Sequence, residues 1–160
     1  VAQAVPIQVR RAGVTMGRRM LTIARLALEG TDGGRLLSRY AALIDTGDTG
    51  NTGNAGDTGG CRSHPAIVLA IAGYTLGAPA AAVAAAYLQS SVISLTQNAV
   101  RAIPLGQDAG QRAIASVRGD VRAAVRRIGD LDGMDLGAAA PGIEISQMRH
   151  ERQRARMFMS

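Results

Sequence analysis

The chain has no lysine or tryptophan, and only one phenylalanine, three tyrosines and one cysteine among its 160 residues. Proteins that bind single-stranded nucleic acid stack bases on aromatic side chains, so this shortage argues against such a surface. The single cysteine, Cys61, excludes an internal disulfide and suits a reducing compartment. No secretory signal is visible, and the start at Val1 rather than Met leads us to expect a fragment or a processed product.

All 18 basic residues are arginines, and the formal net charge is +6. An arginine-only composition with many alanines and glycines is first of all a sign of coding bias. Guanidinium groups nevertheless form planar, bidentate pairs with carboxylates and phosphates, so a partner surface is easily built from them. A basic helical domain that binds nucleic acid, with a steep salt dependence, stays open as an alternative function.

A long uncharged stretch lies between Arg62 and Arg101, with only His64 able to gain a proton there. Gly77 and Pro79 divide it into a first half that is too short to cross a bilayer and a second half that is rich in alanine. Two helices buried in a bundle explain the stretch better than a membrane span does. A membrane-associated helical protein is the weaker alternative.

Apolar spacing and helix-stop signals predict a series of helices and no strand. The predicted helices are 7–29, 34–44, 65–76, 79–103, 109–128 and 143–157. The predicted inward-facing stripes are Val9, Met16, Met20, Ile23 and Ala27 in the first of these helices, Leu88, Val92, Leu95, Ala99 and Ile103 in the fourth, and Ile114, Val117, Val121, Val125 and Ile128 in the fifth. Residues 46–60 place glycine at every third position without proline, which indicates a flexible linker. The expected fold is all-α, a single bundle-like domain over 1–160.

Catalytic and metal-binding patterns are scarce. Cys61 and His64 are spaced as metal ligands, but no further ligand is near them in sequence, and His64 before Pro65 is expected to start a helix instead. His150 beside Glu151 lacks a nucleophile to activate. No Walker A, GxGxxG or GxSxG pattern occurs. The sequence therefore predicts no enzyme, no metal site and no cofactor.

Several polar segments occur together in a specific order. They are VRRAGVTMGRRML (9–21), SHPAIVLAIAGYTLG (63–77), AVRAIPLGQDAGQR (99–112), APGIEISQMRHERQ (140–153) and RMFMS (156–160). In order and spacing they resemble the UreF family of urease accessory proteins over nearly the whole chain. A further N-terminal region that the family normally has is not in this sequence, and the 46–60 insert is unusual for it.

The resemblance implies an all-α, non-catalytic, cytoplasmic protein that is often a homodimer. It implies binding to UreD (also called UreH), recruitment of the GTPase UreG, docking on apo-urease and support of nickel insertion, with no nucleic acid or membrane as partner. Nickel and GTP would be handled mainly by those partners. An influence on UreG GTPase activity is also implied, for which Arg101 or Arg156 would be the candidates if an arginine acts on the nucleotide.

The last segment, 145–160, is expected to be a docking tail, because it combines arginines with an apolar end. By the resemblance, Arg156, Phe158 and Ser160 contact the partner, and the tail becomes ordered when it binds. Arg149, His150 and Glu151 are expected to position the tail or touch the partner. The remaining predicted partner-binding residues, which would organise the dimer or the UreG-facing surface, are Arg101, Gln107 and Gln111.

Overall fold

A computed structural model describes residues 6–47, 62–132 and 140–153. These residues form seven helices and no strand, which confirms the all-α prediction. The helices are α1 (Ile7–Ala27), α2 (Asp32–Gly47), α3 (Pro65–Thr75), α4 (Ala80–Ala102), α5 (Gln107–Ser116), α6 (Arg118–Gly129) and α7 (Pro141–Glu151). Since α2 continues to Gly47, the predicted linker loses its first two positions to a helix, and 48–60 lie outside the described residues.

The chain divides into two compact units. Unit 1 comprises Val1–Gly77 with Gly137–Ser160 and holds α1, α2, α3 and α7, whereas unit 2 comprises Ala78–Leu136 and holds α4, α5 and α6. The prediction of one domain over 1–160 stays a prediction.

In unit 1, α1, α2 and α3 pack on one another around an apolar core. The buried members of this core are Leu21, Leu37, Tyr40, Ile44 and Val68. Leu37 and Val68 are fully inaccessible to solvent. The Tyr40 hydroxyl donates to the Arg62 carbonyl at 3.2 Å, so the polar end of this core residue is satisfied.

The predicted stripe of α1 is confirmed at Met20, which packs against the core, and is wrong at Met16, Ile23 and Ala27. Met16 and Ile23 are 60% and 66% exposed, while Gly17 and Leu21 are buried. Gly17 decides this, because a Cβ there would come within 2.7 Å of the backbone at Ser63 and His64. The missing side chain lets α1 meet the start of α3 along the face that Gly17 and Leu21 share, one turn apart.

A tight turn joins α1 to α2. Gly30 adopts a φ of 75°, which favours glycine, and the Thr31 hydroxyl accepts the N–H of Gly34 at 3.2 Å. A Cβ on Gly34 would collide with the Leu28 carbonyl oxygen. Glycine at these positions therefore allows α2 to start close to the end of α1.

In unit 2, α4 packs against α5 and α6. A Cβ on Gly110 of α5 would lie 2.9 Å from a Val100 methyl and 3.5 Å from a Thr96 methyl, so these helices approach closely at the glycine. Thr96 and Val100 thus mark the face of α4 that meets α5. Leu95 lies about 100° away around the helix and is 71% exposed. The predicted α4 stripe is wrong at Leu95 and at Ile103, which is 54% exposed.

The predicted helix 109–128 is two helices that meet at Val117. The Ser116 hydroxyl donates to the Ala113 carbonyl, and Gly119 follows, and both features weaken a continuous helix. Ile114 is buried as predicted, whereas Ile128 is 45% exposed, contrary to prediction. Helix α5 starts at Gln107, two residues earlier than predicted, and its N-cap, Gly106, makes no side-chain cap bond.

Candidate partner-binding surfaces

The end of α7 is bonded to the first turn of α1. The Gln8 backbone N–H donates to a Glu151 carboxylate oxygen at 3.0 Å. The Gln8 side-chain oxygen lies 3.3 Å from Nδ1 of His150, which suits a hydrogen bond when that nitrogen is protonated. Gln8 thus contacts two adjacent residues that are more than 140 positions away in the sequence.

These bonds compensate for a poorly capped helix. The N-cap of α1 is Pro6, which makes no side-chain cap bond, and the first turn contains no acidic residue. The first N–H groups of a helix have no partner within the helix, and that end carries partial positive charge. Glu151 supplies both the acceptor and the negative charge, so the contact fixes α7 on α1. The sequence offered no signal for Gln8, because its partners come from the other end of the chain.

The structure describes only some of the residues that were predicted to form or position the docking tail. Arg149 lies in the last turn of α7 and is exposed, while His150 and Glu151 are half-buried. The helix ends at Glu151, earlier than the predicted 157. Arg156, Phe158 and Ser160 lie outside the described residues, as do 154–160 in general.

The second predicted set of residues lies at the α4–α5 junction in unit 2. Arg101 is in the last turn of α4, Gln107 is the first residue of α5, and Gln111 lies one turn further along α5. All three side chains are exposed. The structure therefore places these residues around one short connection, which also carries the exposed side chain of Leu105.

His64 begins α3, as expected. Its Nδ1 accepts the N–H of Ala66 at 3.3 Å, and Pro65 takes the first helical position. Partial burial lowers the pKa of His64 below its ordinary value of 6.5. Neutral imidazole is the form that this acceptor role requires.

The part of the chain that the structure describes contains neither a metal-binding cluster nor a helix able to span a membrane. No cluster there brings together three or more His, Cys, Asp or Glu side chains around a position for a metal ion. Cys61, one half of the pair considered for a metal, lies outside the described residues. Within the described ranges, no helix combines the length and the apolarity that a membrane crossing needs.

Comparison with known proteins identifies the family. The UreF family model matches residues 1–118. The urease accessory protein UreF of Arthrobacter sp. (strain FB24) is 48% identical over 159 residues, covering 99% of this chain and 64% of that protein. The same-named protein of Paenarthrobacter aurescens (strain TC1) is 43% identical over 159 residues, again 99% of this chain and 64% of that protein.

The urease accessory protein UreF of Bacillus sp. (strain TB-90) is 48% identical over 97 residues, covering 61% of this chain and 43% of that protein. The chain spans 64% of the length of the first two relatives. The family match and the near-complete coverage of this chain confirm the resemblance that its motifs indicated. The chain belongs to the UreF family of urease accessory proteins.

Proposed function

We propose that this protein is a non-catalytic, cytoplasmic scaffold in urease maturation. Together with UreD (UreH) it would recruit the GTPase UreG to apo-urease and support nickel insertion there. The observation that carries the proposal is family membership, since relatives that cover nearly the whole chain are named urease accessory proteins. A scaffold of this kind needs no cofactor, and nickel and GTP stay with the partners.

The bonded end of α7 supports a role for the tail in docking. Glu151 and His150 hold the end of α7 against the first turn of α1 through Gln8, so the chain leaves the helix from a fixed point. Arginines around Phe158 would form charge-assisted bonds while the ring is buried in the partner. Arg149, Arg156 and Ser160 complete the proposed UreD contact, and His150 and Glu151 act as positioning residues.

The exposed α4–α5 junction is proposed as the second surface. Arg101, Gln107 and Gln111 would contact UreG or the second copy in a homodimer. The exposed apolar side chains of Leu105 and Ile103 beside them support a protein contact. Modulation of UreG would follow from ordering its nucleotide site, and an arginine contributed to GTP, from Arg101 or Arg156, is not required for it.

Co-purification with UreD tests the tail. The full chain is compared with a chain ending at Ala155 and with Glu151→Gln, and Asp120→Asn serves as a control on an exposed acidic residue of α6. We expect the shortened chain to lose binding to UreD, Glu151→Gln to bind UreD more weakly and Asp120→Asn to bind it as the full chain does. Circular dichroism of each protein checks that its helices are intact.

The other outcomes discriminate between explanations. Equal binding by the full and shortened chains would show that the helices make the contact, and docking by the tail would be wrong. If no form of the chain binds UreD, the proposal fails for this chain. Loss of binding by Asp120→Asn as well would show that the effect of Glu151→Gln is not specific to the α7–α1 contact.

A further inference from the structure

A groove of about 700 Å³ opens in unit 1 between the C-terminal part of α1 and the N-terminal part of α2. Arg25, Leu26 and Glu29 line it from the side of α1, and Arg35 and Arg39 line it from the side of α2. None of these residues belongs to the surfaces predicted from the motifs.

The charge of the groove is predominantly positive, with three arginines against one glutamate. Arg35 is paired with Asp32, one turn earlier in α2. Arg25 and Arg39, both exposed, form no ion pair within the described chain. Their guanidinium groups are therefore available for bidentate bonds to carboxylates.

An apolar side chain lies between these charges. Leu26 lines the groove next to Arg25, and its side chain is 70% exposed. An exposed leucine framed by arginines fits an apolar side chain that carries acidic neighbours. Gly30 and Gly34 line the groove at the turn where α2 begins close to the end of α1, and a Cβ on Gly34 would collide with the Leu28 carbonyl oxygen.

We propose that this groove binds an acidic segment of a partner protein, in which an apolar residue sits among aspartates or glutamates. Charge complementarity selects this occupant. Two copies that each carry a net charge of +6 repel each other, which favours a separate acidic partner over a second copy, although Asp130-Leu131-Asp132 of a second copy has the same pattern. Nucleic acid would use the arginines but would leave Leu26 without a contact.

The inference does not rest on the proposed docking of the tail. It concerns different residues, and a chain ending at Ala155 would retain the groove intact. Failure of one proposal is therefore distinguishable from failure of the other.

The test uses a fluorescent synthetic peptide of repeated Glu-Glu-Leu units, titrated with the full chain and followed by anisotropy. The double variant Arg25→Glu/Arg39→Glu reverses both free arginines of the groove. The matched control, Arg122→Glu/Arg126→Glu, changes the net charge by the same amount on exposed positions of α6. We expect the groove variant to bind about tenfold or more weakly and the control to bind within about twofold of the unchanged chain.

Equal weakening by both double variants would overturn the proposal, because it would show attraction by net charge alone. Leu26→Gln supplies a second readout. We expect it to weaken binding of the Glu-Glu-Leu peptide but not of a Glu-Glu-Gly peptide. If Leu26→Gln changes the binding of neither peptide, the groove does not recognise an apolar residue and the proposal is wrong.

The two competing occupants are tested on the same proteins. Oligo(dT) that binds more tightly than the peptide and loses its binding in the groove variant would identify a nucleic-acid site and overturn the proposal. A change of sedimentation coefficient caused only by Arg25→Glu/Arg39→Glu would assign the groove to self-association, with the same consequence. Unchanged sedimentation and weak oligo(dT) binding would support the acidic segment.

Discussion

Unit 1 and unit 2 are both helical, yet they bury very different amounts of apolar side chain. Unit 1 surrounds a cluster of leucine, tyrosine, isoleucine and valine, whereas Ile114 is the large apolar residue that unit 2 buries among its described positions. The long helix of unit 2 starts with AAAVAAAY, and alanine removes little area from water when it packs. We therefore expect the helices of unit 2 to open at a lower free energy than those of unit 1.

The two units also use glycine in the same way. Gly17 brings α1 against the start of α3, and Gly110 brings α5 against α4. In unit 1 the close approach lies beside the apolar core, but in unit 2 the contacts are with Val100 and Thr96 methyl groups. A close approach between helices stabilises a unit most when large side chains surround it.

The largest effect is expected for Leu37→Ala. Leu37 is fully buried in the core of unit 1, so the substitution removes buried methyl groups and leaves a cavity. We expect the free energy of unfolding to fall by about 2–5 kcal/mol, measured by urea denaturation. The matched change in unit 2 is Leu95→Ala, at a position 71% exposed, and its expected effect is within about 0.5 kcal/mol.

Similar losses for the two leucine variants would contradict the comparison. Such a result would mean that Leu95 is covered in solution, and the contrast between the units would then be smaller than their described burial indicates.

A smaller effect is expected for Gly17→Ala. The new Cβ would lie within 2.7 Å of backbone atoms of Ser63 and His64, which have no flexible end to move aside. Overpacking of this kind costs about 1–3 kcal/mol in unfolding free energy. In unit 2, Gly119 lies in α6 with open space around it, so Gly119→Ala should stabilise by about 0.5–1 kcal/mol through helix propensity.

Thermal unfolding monitored by circular dichroism measures both glycine variants. A gain in stability for Gly17→Ala would show that α1 and α3 separate without cost. The close approach would then contribute nothing to unit 1.

The smallest expected effect is a pH dependence of stability that unit 1 has and unit 2 lacks. Both histidines of the chain, His64 and His150, belong to unit 1. Because burial lowers the pKa of His64 in the folded state, the unfolded chain binds the proton more tightly. The stability that neutral His64 provides is complete above its ordinary pKa of 6.5 and decreases as the pH falls from there through the folded-state pKa.

Hydrogen exchange of α3 and α4 amides between neutral and mildly acidic pH, corrected for intrinsic exchange rates, measures this difference. We expect protection in α3 to fall with pH in the unchanged chain. His64→Asn should remove that pH dependence while keeping a capping oxygen, and His64→Ala should cost about 0.5–2 kcal/mol at neutral pH. An unchanged pH profile in His64→Asn would assign the titration to another group.

The helices themselves were predictable because they depend on local signals. The bounds of α3 were predicted to within one residue from its apolar spacing, from Pro65 at its first turn and from His64 before that turn. The faces of the helices were less predictable, since α1 and α4 carry more apolar residues than one face can hold. Packing at Gly17 and Gly110 then selected the buried face, and the apolar residues left over, such as Ile23 and Leu95, remain exposed.

The residues of the candidate sites were also only partly predictable from the sequence. The motifs pointed to His150 and Glu151, but nothing near Gln8 indicated that it would meet them. None of the motifs contains Arg25 or Arg39, and these residues share one groove because the turn at Gly30 brings α1 and α2 together.

The sequence by itself determined the helical class, the approximate bounds of most helices and the family, because periodicity, capping and motif order are properties of neighbouring residues. Only the tertiary structure decided which faces are buried, where α7 is bonded and which arginines share a groove. Those features depend on contacts between residues far apart in the chain, and such contacts follow from packing that no local pattern specifies.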